Sequence, residues 1–483
     1  MINLQPKCTY QARPAPDSER HGICVVRHLD AVGALDTIFD VRLRDFLILG
    51  HSRFRNLDLT QICLCFPVAD DFSESHQAII STLTAGLERL SASFPWIAGQ
   101  VVNEGASEGN SGVFKIRRLD AESTHRLVVK DLRHVTHDSS ISTMDALRRA
   151  SFPMGMLTES IVAPRTTLPS DSDPDSGVTP VFLVQATFIP GGLLLTFLGH
   201  HNAMDVMGQG QVIRLLSKAC RGEQFTSEEL ASGNLPRHDL IPLLDDYTPG
   251  PELAHQIVDR TPSASDAPPP PPPPKCTWGY FSFPATALAD LKSLATDATT
   301  LPAAGYISTD DALTALIWHL DARRYLGIPQ TYLGLALNMA YYTYTLDTLA
   351  DAPLAGITAH LRAGVHPATS DVGHRTRALA TFLSRTPDKN AANPVAGLDV
   401  SRDIMLSSWA KVDCYGLDFG LGVGGPEAVR RPWFGPVDAL EGLVYLIPKA
   451  PDGEIGVAIC LREEDMERLR TDEVFVKYGR YIG

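Results

Sequence analysis

The sequence predicts a mixed α/β protein built of two halves. Three observations carry this expectation. Apolar runs rich in β-branched and aromatic residues alternate with segments of helical period, with no internal repeat. The 483 residues exceed what one core of ordinary size holds. Seven consecutive prolines, Pro268–Pro274, form a stiff extended spacer near the middle. The expected division is therefore 1–57 as an N-terminal extension, 58–255 as a first domain, 256–277 as a proline-rich crossover, and 278–483 as a second domain.

Taken in order, residues 1–57 mix Arg and Asp with short apolar pieces and support only one or two irregular elements. LTQICLCFPV (59–68) reads as a strand. Ala78–Leu90 places Ile79, Leu83, Leu87 and Leu90 on one helical face, and Pro95 stops the helix. FPWIAGQVV, VFKIRRLD and HRLVVKDL read as further strands. Around 170–179 and 221–251 the chain is polar and loop-like. Beyond the proline run, TWGYFSF opens a strand. YISTDDALTALIWHL opens a helix, with Ser308 and Asp311 spaced as a capping-box variant. IMLSSWAKVD is a strand, and YGLDFGLGVGG is a glycine-rich loop. GLVYLIPK and GVAICLR form a hairpin, and EEDMERLRTDEVFVKY is a terminal helix with a solvated charged face.

The stretch 181–222 organises the rest. Val181–Ile189 and Leu193–Gly199 form a predicted hairpin across Pro190-Gly191-Gly192, where glycine supplies positive φ. The second strand ends at His200-His201. After Asp205 the apolar residues Val206, Val212, Ile213, Leu216 and Ala219 fall at helical spacing, and Gly222 closes the helix as its C′ residue. A histidine is thus placed at a strand–helix junction. Imidazole is the side chain whose ordinary pKa lies nearest neutrality, which suits a general base. The spacing HxxxD is weak by itself, because it occurs three times: His134–Asp138, His201–Asp205 and His255–Asp259. The first lies in a polar loop and the third beside the linker. Only His201 leaves an apolar hairpin and enters a helix.

Composition narrows the class. With 44% hydrophobic and 20% charged residues the chain is an ordinary globular protein, and a net charge of −14 argues against nucleic-acid or anionic-membrane partners. Cysteines at 8, 24, 63, 65, 220, 276, 414 and 460 are scattered. Cys63 and Cys65 share one strand face with no second pair nearby, so neither a zinc site nor any other metal is expected. The N-terminus lacks an apolar leader and no apolar run reaches membrane-spanning length, so a cytoplasmic protein is expected.

With His201-Asn-Ala-Met-Asp205, LSSWAKV and Asp418-Phe419-Gly420-Leu421-Gly422 in view, the chain resembles the BAHD acyltransferase superfamily. That family carries HxxxD near mid-chain and DFGWG near its C-terminus. FPWIAGQV, EGASEGNSG, VVKDLR, IVAPRTTLP, QVIRLLSKACR and VRRPWF strengthen the likeness to the fungal trichothecene 3-O-acetyltransferase branch, from about residue 58 to the end. The resemblance implies a two-domain, chloramphenicol-acetyltransferase-like fold with an interdomain channel. Acetyl-CoA, as co-substrate, and a small-molecule alcohol would meet at His201, in a protein expected to be a monomer. It departs from the pattern in Val206 after the HxxxD Asp, in Leu421 for Trp, and in the run of IWHL straight into Asp321-Ala322-Arg323, where the family inserts a strand.

The resemblance also implies roles. His201 is the base, and Asp205 serves geometry, pairing with Arg323. Trp409 offers its indole N–H to the oxyanion, with Ser407 or Ser408 next and core packing as the alternative reading. His200 is expected to point elsewhere. Asp418, Gly420 and Gly422 form a remote structural loop. Ser308 and Thr309, at a helix N-terminus, match the CoA-side segment, with Lys275, Arg430 and Arg431 as alternative cations read mainly as surface charges. No GxSxG elbow or Cys–His pair points to an acyl-enzyme. Two rival expectations are a condensation-type enzyme and a weakly catalytic family member that sequesters a metabolite.

Overall fold

The computed structural model describes residues 23–30, 59–68, 73–118, 127–134, 142–167, 179–237, 240–258, 274–296, 306–309, 311–313, 320–321, 328–329, 331–335, 337–366, 368–393, 396–399, 403–435 and 441–483. Fifteen strands are present among them, numbered here in chain order. They are β1 (Ile23–Asp30), β2 (Leu59–Pro67), β3 (Gly99–Glu104), β4 (Val113–Arg118), β5 (Leu127–Asp131), β6 (Phe182–Ile189), β7 (Gly192–His200) and β8 (Cys276–Phe283). The remainder are β9 (Leu320–Asp321), β10 (Leu337–Tyr344), β11 (Ile404–Ser408), β12 (Ala428–Arg430), β13 (Leu443–Leu446), β14 (Ile455–Arg462) and β15 (Arg480–Tyr481).

They make two mixed sheets and one separate ribbon. The first sheet runs β12-β2-β7-β6-β5, the second β10-β1-β11-β13-β14-β8-β15 with β9 beside β1, and β3 pairs with β4 alone. β6 and β7 form the expected hairpin, with Gly191 at φ 77° in its turn. Every residue of both strands is buried, which explains their continuous rather than alternating hydrophobicity.

Helix α1 (Ser73–Ser93) extends the Ala78–Leu90 expectation at both ends. Helix α2 (Val206–Cys220) follows the hairpin and packs on α1, where Gly86 admits the Cys220 thiol. Gly222, at φ 75°, ends the helix as its sequence position requires. The stretch 221–251 is not all loop. It holds a short helix, Ser227–Gly233, closed by a reciprocal Thr226–Glu229 capping box, and Glu229 bonds to Arg214 and Lys218 of α2. That Thr-x-x-Glu signature was readable in the sequence.

The division by sequence does not coincide with the division by sheet. β12, far beyond the proline linker, pairs antiparallel with β2 of the first sheet through Ala428–Cys65, Val429–Leu64 and Arg430–Cys63. Conversely β1, from the segment expected to be irregular, lies inside the second sheet, antiparallel to β10 and parallel to β11. β9 lies parallel to the end of β1, and the residues on either side of it, where a further strand was expected, lie outside the described residues. Of the crossover, residues 259–273 lie outside the described residues, and so do all but the last of its seven prolines. The largest apolar cluster is shared: Phe66, Phe197 and Leu216 from the first half meet Trp278, Trp409, Phe419 and Tyr445 from the second.

Candidate active site

The site is built at the end of β7. His200 is the last residue of the strand, opposite Leu59 on β2, and is only 2% exposed. His201 lies one residue past the strand end and is half-buried. The chain then turns tightly, as the His200 carbonyl accepts from Ala203 N at 2.8 Å and from Met204 N at 3.1 Å. His200 Nδ1 accepts from Asn202 N at 3.2 Å, so this ring is committed to the turn. Asp205 is fully buried and N-caps α2, its Oδ1 accepting from Gly208 N at 2.7 Å. Arg237, far along the chain, donates from Nη1 to the Ala203 carbonyl at 2.7 Å.

Electrostatically the loop keeps its imidazoles neutral. Burial is the main cause in both rings. It takes His200 down to about 3, helped by His201 beside it. It lowers His201 as well, against its own backbone, the Asp205 carboxylate and the backbone of Met204, which favour the protonated ring. His201 Nδ1 is buried and makes no hydrogen bond with the described residues.

Trp409 directly follows β11 and is buried. Its Nε1 donates to Ser407 Oγ at 3.2 Å, and its ring lies 5.1 Å from Tyr445, tilted. Ser408 is buried, and its Oγ accepts from Ala410 N. The Trp409 segment meets the His201 helix through Val412, since a Cβ on Gly210 would come within 2.6 Å of Val412 Cγ1. His201, Asp205 and Trp409 thus lie around one helix and one apolar cluster.

The other expected residues are placed differently. Ser308 and Asp311 form the reciprocal box read from the sequence: Ser308 N and Oγ reach Asp311 Oδ2 at 2.8 and 2.6 Å, and Asp311 N reaches Ser308 Oγ at 3.0 Å. Arg362 faces the same carboxylate at 3.3 Å and lies 4.2 Å over the Tyr306 ring. Thr309 is the residue that opens this helix. Lys275 is exposed and pairs with Glu463 at 2.5 Å. Arg323 lies outside the described residues.

Arg430 and Arg431 are not surface charges, being 7% and 2% exposed. Arg430 donates to the carbonyls of Phe152 at 3.0 Å and Ser151 at 3.3 Å, two non-glycine residues held at φ 55° and 64°. Arg431 lies 3.8 Å over the Phe434 ring and 5.0 Å over Tyr445. Guanidinium planes stack on rings in a way that ammonium groups do not, which is why both are tolerated inside.

In the glycine loop, Asp418 Oδ1 accepts from Gly420 N at 2.8 Å, and Arg221 donates to the Asp418 carbonyl. Gly420 and Gly422 adopt φ 66° and 72°, where a side chain would be strained. Phe419 is buried, stacked 5.7 Å from Phe197 and edge-on to Phe66. The loop therefore packs the second half onto the first sheet. Among the described residues there is no group of three or more metal-capable side chains, and no helix long and apolar enough to cross a membrane.

The chain is similar to known proteins along most of its length. A family model described as the trichothecene 3-O-acetyltransferase-like N-terminal domain matches residues 59–220. The chain is 53% identical over 460 residues to O-acetyltransferase dmxR13 of Cryptosporiopsis sp. (strain 8999), covering 90% of this chain and 97% of that one. It is 47% identical over 470 residues to trichothecene 3-O-acetyltransferase TRI101 of Fusarium sporotrichioides, covering 92% and 98%. The crystal structure of F. graminearum TRI101 complexed with coenzyme A and deoxynivalenol superposes with a TM-score of 0.81 at 41% identity, covering 95% of this chain and 100% of that one. The chain belongs to the BAHD acyltransferase superfamily, in its trichothecene 3-O-acetyltransferase-like branch, and is an enzyme of the O-acetyltransferase class.

Proposed function

We propose that this enzyme transfers acetyl from acetyl-CoA to a hydroxyl of a fungal terpenoid alcohol, with the trichothecene C-3 hydroxyl the leading acceptor, and that His201 is the general base. The relatives named above support the acyl donor and the acceptor class. The observation that carries the mechanism is the neutral, half-buried imidazole of His201 on a loop bonded from several sides.

With Nδ1 buried, Nε2 is the nitrogen available to the alcohol. It takes the hydroxyl proton as the alcohol oxygen attacks the thioester carbonyl. The tetrahedral intermediate collapses by breaking the C–S bond, and His201 returns the proton to the departing thiolate. Such positioned bases contribute about 10²–10⁴-fold. Both substrates are present together, reaching His201 from opposite faces of a passage between the halves, and no acyl-enzyme forms. The oxyanion needs a donor, worth roughly 2.7–4 kcal/mol in a water-poor site. Because the Trp409 indole is already directed at Ser407 Oγ, the Ser407 hydroxyl, left with its own proton to give, is the better placed of the two. Asp205 acts through the helix cap. CoA is assigned to the side of Ser308 and Thr309, where Asp311 already occupies the helix end, so its phosphates depend on cations elsewhere.

Free thiol release and acetyl-ester formation, followed with acetyl-CoA and a trichothecene bearing a free C-3 hydroxyl, test the reading. The wild-type enzyme is expected to turn over, and His201→Ala to lose about 10²–10⁴-fold in kcat with CoA binding retained. Near-normal turnover by His201→Ala removes the base assignment. Acetylation of other alcohols but not this one removes the acceptor. Acceptor binding without any thiol release marks a sequestering protein.

A further inference from the structure

We propose that Arg237 is a positioning residue for the reaction, holding a peptide plane of the turn that carries His201. This builds on the reading of His201 as the base. The plane in question joins Ala203 to Met204. Its N–H is tied to the His200 carbonyl at 3.1 Å, and its carbonyl, that of Ala203, accepts from Arg237 Nη1 at 2.7 Å. One peptide is thereby held at both ends by two separate parts of the chain. The turn held in this way is the one that carries His201, which lies between His200 and Ala203.

Arg237 is itself well anchored. It is 7% exposed, and its guanidinium lies 4.1 Å from the centre of the Trp96 ring. Trp96 is fixed in turn, because its Nε1 donates to the Gly233 carbonyl at 2.9 Å. Gly233 abuts Phe94, leaving no room for a side chain that would shift it. A rigid lever thus runs from the short helix 227–233 through Trp96 and Arg237 to the loop. Only a planar, multiply donating group stacks on an indole and donates along its own plane at once, so lysine does not reproduce the contact. Without the guanidinium the buried Ala203 carbonyl loses this donor, and the peptide gains freedom to rotate next to His201. Displacement of a reacting group by about 1 Å is enough to lose about 10²-fold in rate.

The test compares Arg237→Lys, Arg237→Gln, His201→Ala and the His201→Ala/Arg237→Gln double variant of the full chain. Each is assayed for kcat, KM, CoA dissociation constant and thermal midpoint. Arg237→Gln is expected to lower kcat by about 10²-fold with CoA affinity nearly unchanged, and Arg237→Lys to recover only part of it. In the His201→Ala background the Arg237 change is expected to have no further effect on the residual rate, because both act on one group. In a further variant, Arg237→Ala, millimolar guanidinium is expected to restore kcat saturably, and no rescue in a folded, CoA-binding Arg237→Ala counts against the proposal. Unchanged kcat per folded molecule with a lowered thermal midpoint overturns the proposal, as does a parallel loss of CoA affinity. If Arg237→Gln does not fold, full activity in Arg237→Lys overturns it equally. Normal turnover by His201→Ala removes the base and this proposal together, whereas an inactive His201→Ala beside an active Arg237→Gln removes only this one.

Discussion

At the scale of single residues, the adjacent imidazoles of His200 and His201 show how one covalent step separates two environments. His200 closes β7 and points into the protein, while His201 falls beyond the strand and is half-buried. Burial gives His200 a consequence that acid reveals. An unfolded imidazole takes up its proton near 6.5, the folded one only at about 3. Between those values the unfolded chain binds more protons, so stability is full above the upper value and falls as the pH drops. The expected loss is about 1.4 kcal/mol per pH unit. Asn at position 200 still accepts the Asn202 N–H and does not titrate. Thermal unfolding of His200→Asn is therefore expected to show a shallower decline between about pH 6 and pH 4, and an unaltered slope counts against this account. The placement of His201 just past the second hairpin strand was legible from the apolar run before it. Arg237 was not, since no local pattern marks it and it bonds to a carbonyl 34 residues away.

At the scale of elements, the hairpin and helix α2 were legible because their signals are local: an apolar run, a Pro-Gly-Gly turn, a helical period and a closing glycine. The cap at Asp205 follows the same local logic. What the pattern did not reveal is why α2 needs a glycine in its first turn. A Cβ on Gly208 would sit 2.5 Å from the Leu333 carbonyl oxygen and 2.7 Å from that of Gly334, both in the second half. Backbone oxygens yield less readily than flexible side-chain ends. Gly208→Ala is therefore expected to destabilise by about 1–3 kcal/mol through overpacking, outweighing the roughly 1 kcal/mol that alanine gains in a helix. Chemical denaturation measures the balance, and a net gain in stability would refute the close approach. Arg430 and Arg431 were misread for the complementary reason. Charge in a loop suggests solvent, yet rings and strained carbonyls waited for both guanidinium groups.

At the scale of the whole molecule, the arm from about residue 413 to 434 binds the halves together. It inserts Phe419 between Phe66 and Phe197, adds β12 to the first sheet, and sends Arg430 to the carbonyls of Ser151 and Phe152. Trp433 N and O pair with Leu157 O and Glu159 N at 2.9 Å each. The Arg148–Glu427 pair along this seam is partly exposed, so its contribution is small. Phe419→Ala is expected to cost about 3–5 kcal/mol and to loosen the junction without touching the reacting groups. Calorimetry beside CoA binding checks this: an unshifted transition would show that the ring does not hold the halves.

The local elements, the strand–helix junction and the family were determined by the sequence alone, because each rests on neighbours within a few positions or on ordered motifs. Tertiary structure alone decided which strand entered which sheet, that two arginines lie inside, and that a loop carbonyl is held by Arg237. Those outcomes depend on contacts that join residues tens to hundreds of positions apart, such as Arg430 to Phe152 across 278. No periodicity encodes a partner at that distance. It is chosen by which surfaces exclude water together and which buried polar groups must find one another.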